Sequence, residues 1–162
     1  MSAVDITIRR ARFNEAHQLT ELALRSKASW GYSKEFVNAC RAELTFTAAK
    51  MAASDVWVAV VDEMIAGMVA LKVATDAAKA ELEDLFVEPT LQGRRIGAAL
   101  VAAALDACRL KGAKVLSVDA DPNAEGFYQR FGFHTVGRSP SGSIPGRTLP
   151  RMQLHLAAPQ VG

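Results

Sequence analysis

Ile6 and Ile8 alternate with Thr7 and Arg9, so the stretch from Asp5 to Arg10 reads as a first strand. Asn14 is placed to cap a helix that runs to about Ala28, with Leu19, Leu22 and Ala23 on one face. Trp30-Gly31-Tyr32 breaks that pattern. Ser33 can cap a second helix containing Phe36, Val37, Cys40 and Leu44, and Thr45 to Ser54 fits either a short helix or a connection. Val56 to Val61 is a nearly continuous apolar run and predicts a buried strand. Asp62-Glu63 supplies a turn, and Ile65 to Val73 the antiparallel partner. A connection over Asp76 to Lys79 leads to a third strand, Ala80 to Val87, which Glu88-Pro89 ends because proline has no ladder donor. Gly97 to Leu110 is an apolar helix closed by Gly112. A strand at Val115 to Val118, a two-turn helix at Ala124 to Arg130 and a strand at Phe133 to Val136 follow. Ser139 to Pro150, rich in Ser, Gly and Pro, reads as a loop. Met152 to Leu156 alternates again as a last strand, and the tail after Ala157 is expected to fray.

Helices therefore interrupt a mixed sheet, which is an α/β (α+β) sandwich. No internal repeat or long linker divides the 162 residues, so one domain over 1–162 is expected, with its core at about 5–156. Half the residues are hydrophobic and 22% charged, which excludes a disordered or collagen-like chain. The net charge of +2 is low for a protein that coats a polyanion, so nucleic acid is not favoured as partner. Ile96 to Leu105 is too short to span a bilayer, and no secretion signal opens the chain. Cys40 and Cys108 sit in helical patterns and read as reduced, buried thiols, so a cytoplasmic protein without staples is expected. His17, His134 and His155 lack metal-ligand spacing, and no metal is expected.

The most informative segment is ELEDLFVEPTLQGRRIGAAL, Glu81 to Leu100. A strand ends, the loop QGRRIG follows, and a long helix begins. Amides at a helix start lack internal acceptors, and the helix dipole is positive there, so a diphosphate would be held well. Gly93 and Gly97 permit close backbone approach, and Arg94 and Arg95 add positive charge. A solvated glycine-containing loop would look the same in isolation.

A second segment adds context. A strand is followed by Asp121-Pro-Asn-Ala124 and then FYQRFGF, Phe127 to Phe133. Together the two segments resemble the GNAT superfamily of acyl-CoA-dependent N-acyltransferases. That family carries Gln/Arg-x-x-Gly-x-Gly/Ala between its fourth strand and third helix. Gln92 and Gly97 match its ends, and Arg95 stands where glycine is usual. Its later Asn-x-x-Ala and Leu/Phe-Tyr-x-x-x-Gly-Phe are matched by Ala124, Tyr128, Gly132 and Phe133, while Asp121 replaces the usual Asn. The element order agrees over roughly 5 to 156.

The resemblance implies a mixed, mostly antiparallel sheet of about six or seven strands flanked by about four helices, with the fourth and fifth strands splayed around the cofactor. It implies acetyl-CoA as acyl donor. Leu85, Phe86 and Val87 would offer backbone groups to the pantetheine arm. Gln92, Gly93, Arg94, Arg95, Ile96, Gly97 and Ala98 would hold the diphosphate, and Asn123 would take over the contact left by Asp121.

The reaction needs an amine freed of its proton, whose pKa is about 10.4 for a lysine-like group, and a proton donor for the leaving thiolate. Tyr128 occupies the family's donor position. The resemblance also implies a proton acceptor on this strand four or six residues before Val87, which makes Glu83 and Glu81 the candidate bases; period-two geometry sets both on one strand face with Leu85 and Val87, and Asp84 on the other. Glu83 is preferred as nearer the thioester, acting directly or through water. Trp30, Tyr32 and Phe36 would wall an acceptor groove or else fill core. The loop 141–147 would close it, with Arg147 binding an acidic group or lying in solvent. The acceptor is then a small-molecule or peptide amine, with no membrane partner, and an apolar last strand leaves room for a homodimer. Two alternatives stay open: a CoA-binding sensor without turnover, and a toxin-like acetyltransferase acting on aminoacyl-tRNA.

Overall fold

The computed structural model describes residues 5–74 and 78–156. The strands are β1 (Thr7–Arg10), β2 (Asp55–Val61), β3 (Met64–Val73), β4 (Lys79–Val87), β5 (Val115–Asp119), β6 (His134–Pro140) and β7 (Thr148–His155). The helices are α1 (Ala16–Ala28), α2 (Lys34–Leu44), α3 (Ala48–Ala53), α4 (Ile96–Leu110) and α5 (Glu125–Gln129). The sheet order is β1-β2-β3-β4-β5-β7-β6. β4 and β5 pair in parallel from Lys79↔Val115 to Leu82↔Val118, while β1–β2, β5–β7 and β6–β7 are antiparallel. This is a seven-stranded mixed α/β fold of the expected class.

Contacts group the chain into two compact units, Met1–Ala70 with Asp84–Ala103 and Leu71–Glu83 with Ala104–Gly162. In the first, Leu19 and Leu22 of α1, Val58 of β2, Met68 and Val69 of β3 and Leu100 of α4 are fully buried. Ser33 caps α2, accepting from the Phe36 amide at 3.1 Å. Thr47 caps α3 in the same way, accepting from Lys50, which settles the ambiguous stretch as helix and brings the helices to five. A 3-10 turn at Phe13–Glu15 precedes α1, so the helix begins two residues after Asn14, the cap expected from sequence. Glu15 occupies the turn instead: its carboxylate accepts from the Arg12 amide at 2.7 Å and from both Arg9 terminal nitrogens at 3.0 and 2.8 Å. These donors hold the nearly buried Glu15 carboxyl below the usual range against the opposing effect of burial. Asp62 and Glu63 both take left-handed φ, 49° and 66°, as a two-residue hairpin turn requires.

In the second unit, Leu82, Leu116 and Met152 fill the core with Cys108 of α4. Burial pushes that thiol up to about 11, which leaves it inert at neutral pH. The expected loop from Ser139 to Pro150 is much shorter. β6 runs on to Pro140 and β7 starts at Thr148, with Ser139↔Leu149 and Pro140↔Thr148 paired. Glycine and proline suggested a loop, but β6 lies at the sheet edge, where Pro140 can end a strand without breaking a central ladder. The connection expected from Asp76 falls partly, and the tail after Ala157 wholly, outside the described residues.

Candidate active site

Around the QGRRIG loop, β4 ends at Val87 and a 3-10 turn covers Pro89–Leu91. The chain then turns through two left-handed residues, Gly93 at φ 83° and Arg95 at φ 65°. Arg95 precedes the first helical residue, Ile96. It is the cap, since its carbonyl accepts the first helical bond from Ala99 at 3.1 Å. The family's usual glycine is explained by this φ: the turn into α4 needs a left-handed residue, and arginine adopts it at a cost of roughly 1–2 kcal/mol. The amides of Ile96, Gly97 and Ala98 form the first turn, where helical acceptors are lacking. Gln92 to Arg95 are exposed, Ile96 is buried, and Gly97 and Ala98 are half-buried.

Close approach fixes where α4 starts. A Cβ on Gly67 of β3 would come within 2.9 Å of Leu100 Cδ1 and 3.0 Å of both Ile96 Cγ2 and the Phe86 carbonyl. Only glycine lets the first turn of α4 lie this close to β3. Leu85, Phe86 and Val87, all half-buried, continue β4 beyond the last residue of its ladder with β5. Asp84 pairs with Lys50 at 3.2 Å, and that ammonium also lies over the Phe46 ring at 4.3 Å.

The alternation expected from Glu81 through Val87 does not run unbroken. Ala74 donates to the Lys79 carbonyl and Glu88 to that of Ala66. Eight steps on β3 therefore face nine on β4, so β4 carries one extra residue, a bulge that breaks the two-residue period. Alternation is clean only over Lys79 to Glu83, where Ala80 and Leu82 are buried and their neighbours are not.

Glu81 is tied down by a partner that sequence reading missed. Arg151 of β7 donates through Nη2 to Glu81 Oε2 at 3.0 Å and through Nη1 to Oε1, and Nη1 also reaches Asp119 Oδ1 at 3.3 Å. Burial pushes the Glu81 carboxyl above its ordinary range, with Arg151 pulling the other way and the charges of Asp119 and Glu83 adding to the rise. Glu83 is exposed. Tyr128 of α5 is buried, with ring centroids 5.2 Å from Phe127 and 5.3 Å from Phe133 in edge geometry.

Asp121 caps the 3-10 turn Pro122–Ala124, accepting from the amide and side-chain nitrogen of Asn123, both at 2.9 Å. Arg147 lies 3.7 Å from Asp121 and is mostly buried, so it is not simply solvated. Trp30, Tyr32 and Phe36 are not core. Trp30 is exposed, and Tyr32 stacks on Phe36 at 4.2 Å with the Lys27 ammonium over both rings. Among the described residues no group of three His, Cys, Asp or Glu side chains is arranged to hold a metal, and no helix is long and apolar enough to cross a membrane.

The acetyltransferase (GNAT) domain model matches residues 15–156, and the chain belongs to that family. It is an acyltransferase by that membership. Among solved structures, the GCN5-related N-acetyltransferase "Aminotransferase, Class-II" from Rhodopseudomonas palustris is 25% identical, with a TM-score of 0.79 over 96% of this chain and 99% of that one. PaiA N-acetyltransferase from Thermoplasma acidophilum, in complex with coenzyme A, is 22% identical, with a TM-score of 0.76 over 93% and 99%. The ribosomal-protein-S18-alanine N-acetyltransferase from Escherichia coli is 16% identical, with a TM-score of 0.71 over 98% of each. The last two likenesses are of fold. Comparison with curated protein sequences gave no match.

Proposed function

We infer that the chain transfers an acetyl group from acetyl-CoA to a primary amine by direct attack. The observation that carries this reading is the left-handed turn at Gly93 and Arg95, which leaves the amides of Ile96, Gly97 and Ala98 at the start of a fifteen-residue helix. Main-chain donors at such a point suit a diphosphate without regard to side-chain identity. Arg94 and Arg95 add charge, Gln92 a polar side chain, and Leu85 to Val87 offer backbone groups to the pantetheine arm. Asn123 and its Asp121 partner belong to the cofactor contact in the same reading.

Bound acetyl-CoA supplies an activated acyl group as a thioester. Glu83 takes the proton from the attacking ammonium, directly or through a water, and its charge draws the cation in. The Tyr128 hydroxyl delivers a proton to the leaving sulfur. Trp30 and Tyr32 contribute an aromatic surface for the acceptor. Arg147, 3.7 Å from Asp121, holds loop 141–147 on the acceptor side and is available to an acidic group of the acceptor. A small-molecule or peptide amine is the acceptor class. A cytoplasmic setting agrees with the two buried free thiols, and light scattering on the purified protein would read homodimer formation directly.

The test is calorimetry with coenzyme A, followed by thiol release from acetyl-CoA across a panel of amines. Binding with amine-dependent thiol release is expected. Binding without release from any amine would make the chain a sensor, and absence of binding would remove the reading altogether.

A further inference from the structure

Three elements distant in sequence converge on one guanidinium. Glu81 lies on β4, Asp119 on β5 and Arg151 on β7. The ladders set this convergence. Glu81 is level with Ser117 in the parallel β4–β5 register, and Asp119, two residues on, faces Arg151 across the antiparallel β5–β7 register. Side chains two apart share a face, so Glu81, Ser117, Asp119 and Arg151 stand on the same side of the sheet. Ala80, Leu82, Leu116, Val118 and Met152 line the other side and are buried. A fork-to-fork Arg–carboxylate pair is the most orienting ion pair available to side chains, because two parallel bonds fix both planes.

This arrangement gives Glu81, the second of the two candidate bases, a fixed partner. Each Glu81 oxygen accepts from a different Arg151 nitrogen. Accepting a proton from an amine would remove the charge that strengthens both of these bonds in a half-buried place. Glu83, two residues on, is exposed. We propose that Arg151 is a positioning residue for acetyl transfer: by clamping Glu81 and reaching Asp119, it holds the Glu81 carboxylate in one orientation and opposes its protonation, so that its negative charge favours a cationic acceptor. The inference rests on the transferase reading, and it adds to that reading the residue that holds Glu81 in place.

The charged groups that act on Glu81 are Arg151 from β7, Asp119 from β5 and Glu83 from β4 itself. Arg151 is the cation among them. Without it, burial and two like charges all push the Glu81 proton affinity upward. Arg151→Gln should therefore raise the Glu81 proton affinity further, since the one group that opposes burial is lost.

Two measurements test this. The first is carbon-13 NMR of labelled glutamate carboxyls in the full-length protein without acceptor, with Glu81 assigned by its loss in Glu81→Gln. The Glu81 midpoint is expected to rise by a pH unit or more in Arg151→Gln and to return most of the way in Arg151→Lys. The second is the pH profile of kcat/KM with the best amine from the acceptor panel. Wild type should show one ionisation on the acid limb. Arg151→Gln should show a second, which disappears in Arg151→Gln/Glu81→Gln. An unmoved Glu81 midpoint in folded Arg151→Gln overturns the inference, as does a second ionisation that survives the double substitution. A chain that binds coenzyme A but turns over no amine would defeat the transferase reading, while the NMR titration would still decide whether Arg151 governs Glu81.

Discussion

The two compact units solve different problems by different means. The first presents main chain. Its candidate binding feature is a run of amides at the start of α4, shaped by two left-handed residues and by Gly67, which lets the helix close in on β3. Its ion pairs, Arg9–Glu15, Arg25–Glu88 and Lys50–Asp84, join segments of the scaffold. The second unit presents side chains. Glu81, Asp119 and Arg151 make one charged cluster, and Asp121 with Arg147 ties a loop to the turn before α5. A main-chain site depends on backbone path and tolerates changes of side chain, which is why arginine can stand at Arg95 where glycine is usual. A side-chain site depends on residue identity and on strand register together.

The contrast can be broken most severely in the second unit. Glu83→Gln and Tyr128→Phe should each lower kcat by about 100-fold or more, in the range of general acid–base effects, with coenzyme A affinity in calorimetry held within a few-fold. Equal loss of affinity would mean that these side chains serve binding and that the division drawn above is wrong. In the first unit the damaging change is steric. Gly67→Ala forces Ile96 and Leu100 away from β3 and should cost about 2 kcal/mol in urea unfolding while weakening coenzyme A binding several-fold. Full affinity in that variant would show that the start of α4 need not be held in place.

Glu15→Gln should cost about 1–2 kcal/mol through its lost charged hydrogen bonds, without changing turnover. Its sign with pH follows from the direction of the shift. The folded carboxyl is depressed, so its contribution is complete above the unfolded carboxylate range and is lost as pH falls through the folded value. The difference in stability between wild type and Glu15→Gln should accordingly shrink on acidification, and a constant difference would contradict the assignment. The smallest effect is at the loop. Arg95→Gly relieves a left-handed arginine but loosens the unfolded chain, and should raise stability by about 0.5 kcal/mol. A loss of more than that would place the Arg95 side chain, not its φ, at the centre of the loop's stability.

Element order, the Ser33 cap, the Asp62-Glu63 turn and the strand–loop–helix around Gly97 were all legible in the chain, because periodicity, capping and turn chemistry act over a few neighbouring residues. So were the two motifs that carry the family resemblance. What failed was also local in origin. Asn14 looked like a cap until Arg9 and Arg12 took Glu15, and the Ser139 to Pro150 composition hid strand residues that only pairing with a neighbour stabilises.

By itself, then, the sequence determined the fold class, the family and the positions of the candidate acids. Tertiary structure decided that Arg151 clamps Glu81, since the two lie seventy residues apart and meet only through the order β4-β5-β7. It also decided that Arg147 belongs to Asp121 and that β4 takes an extra residue against β3. Each of these follows from which strand lies beside which and in what register, and that is fixed by burial of the whole core rather than by any short stretch of chain.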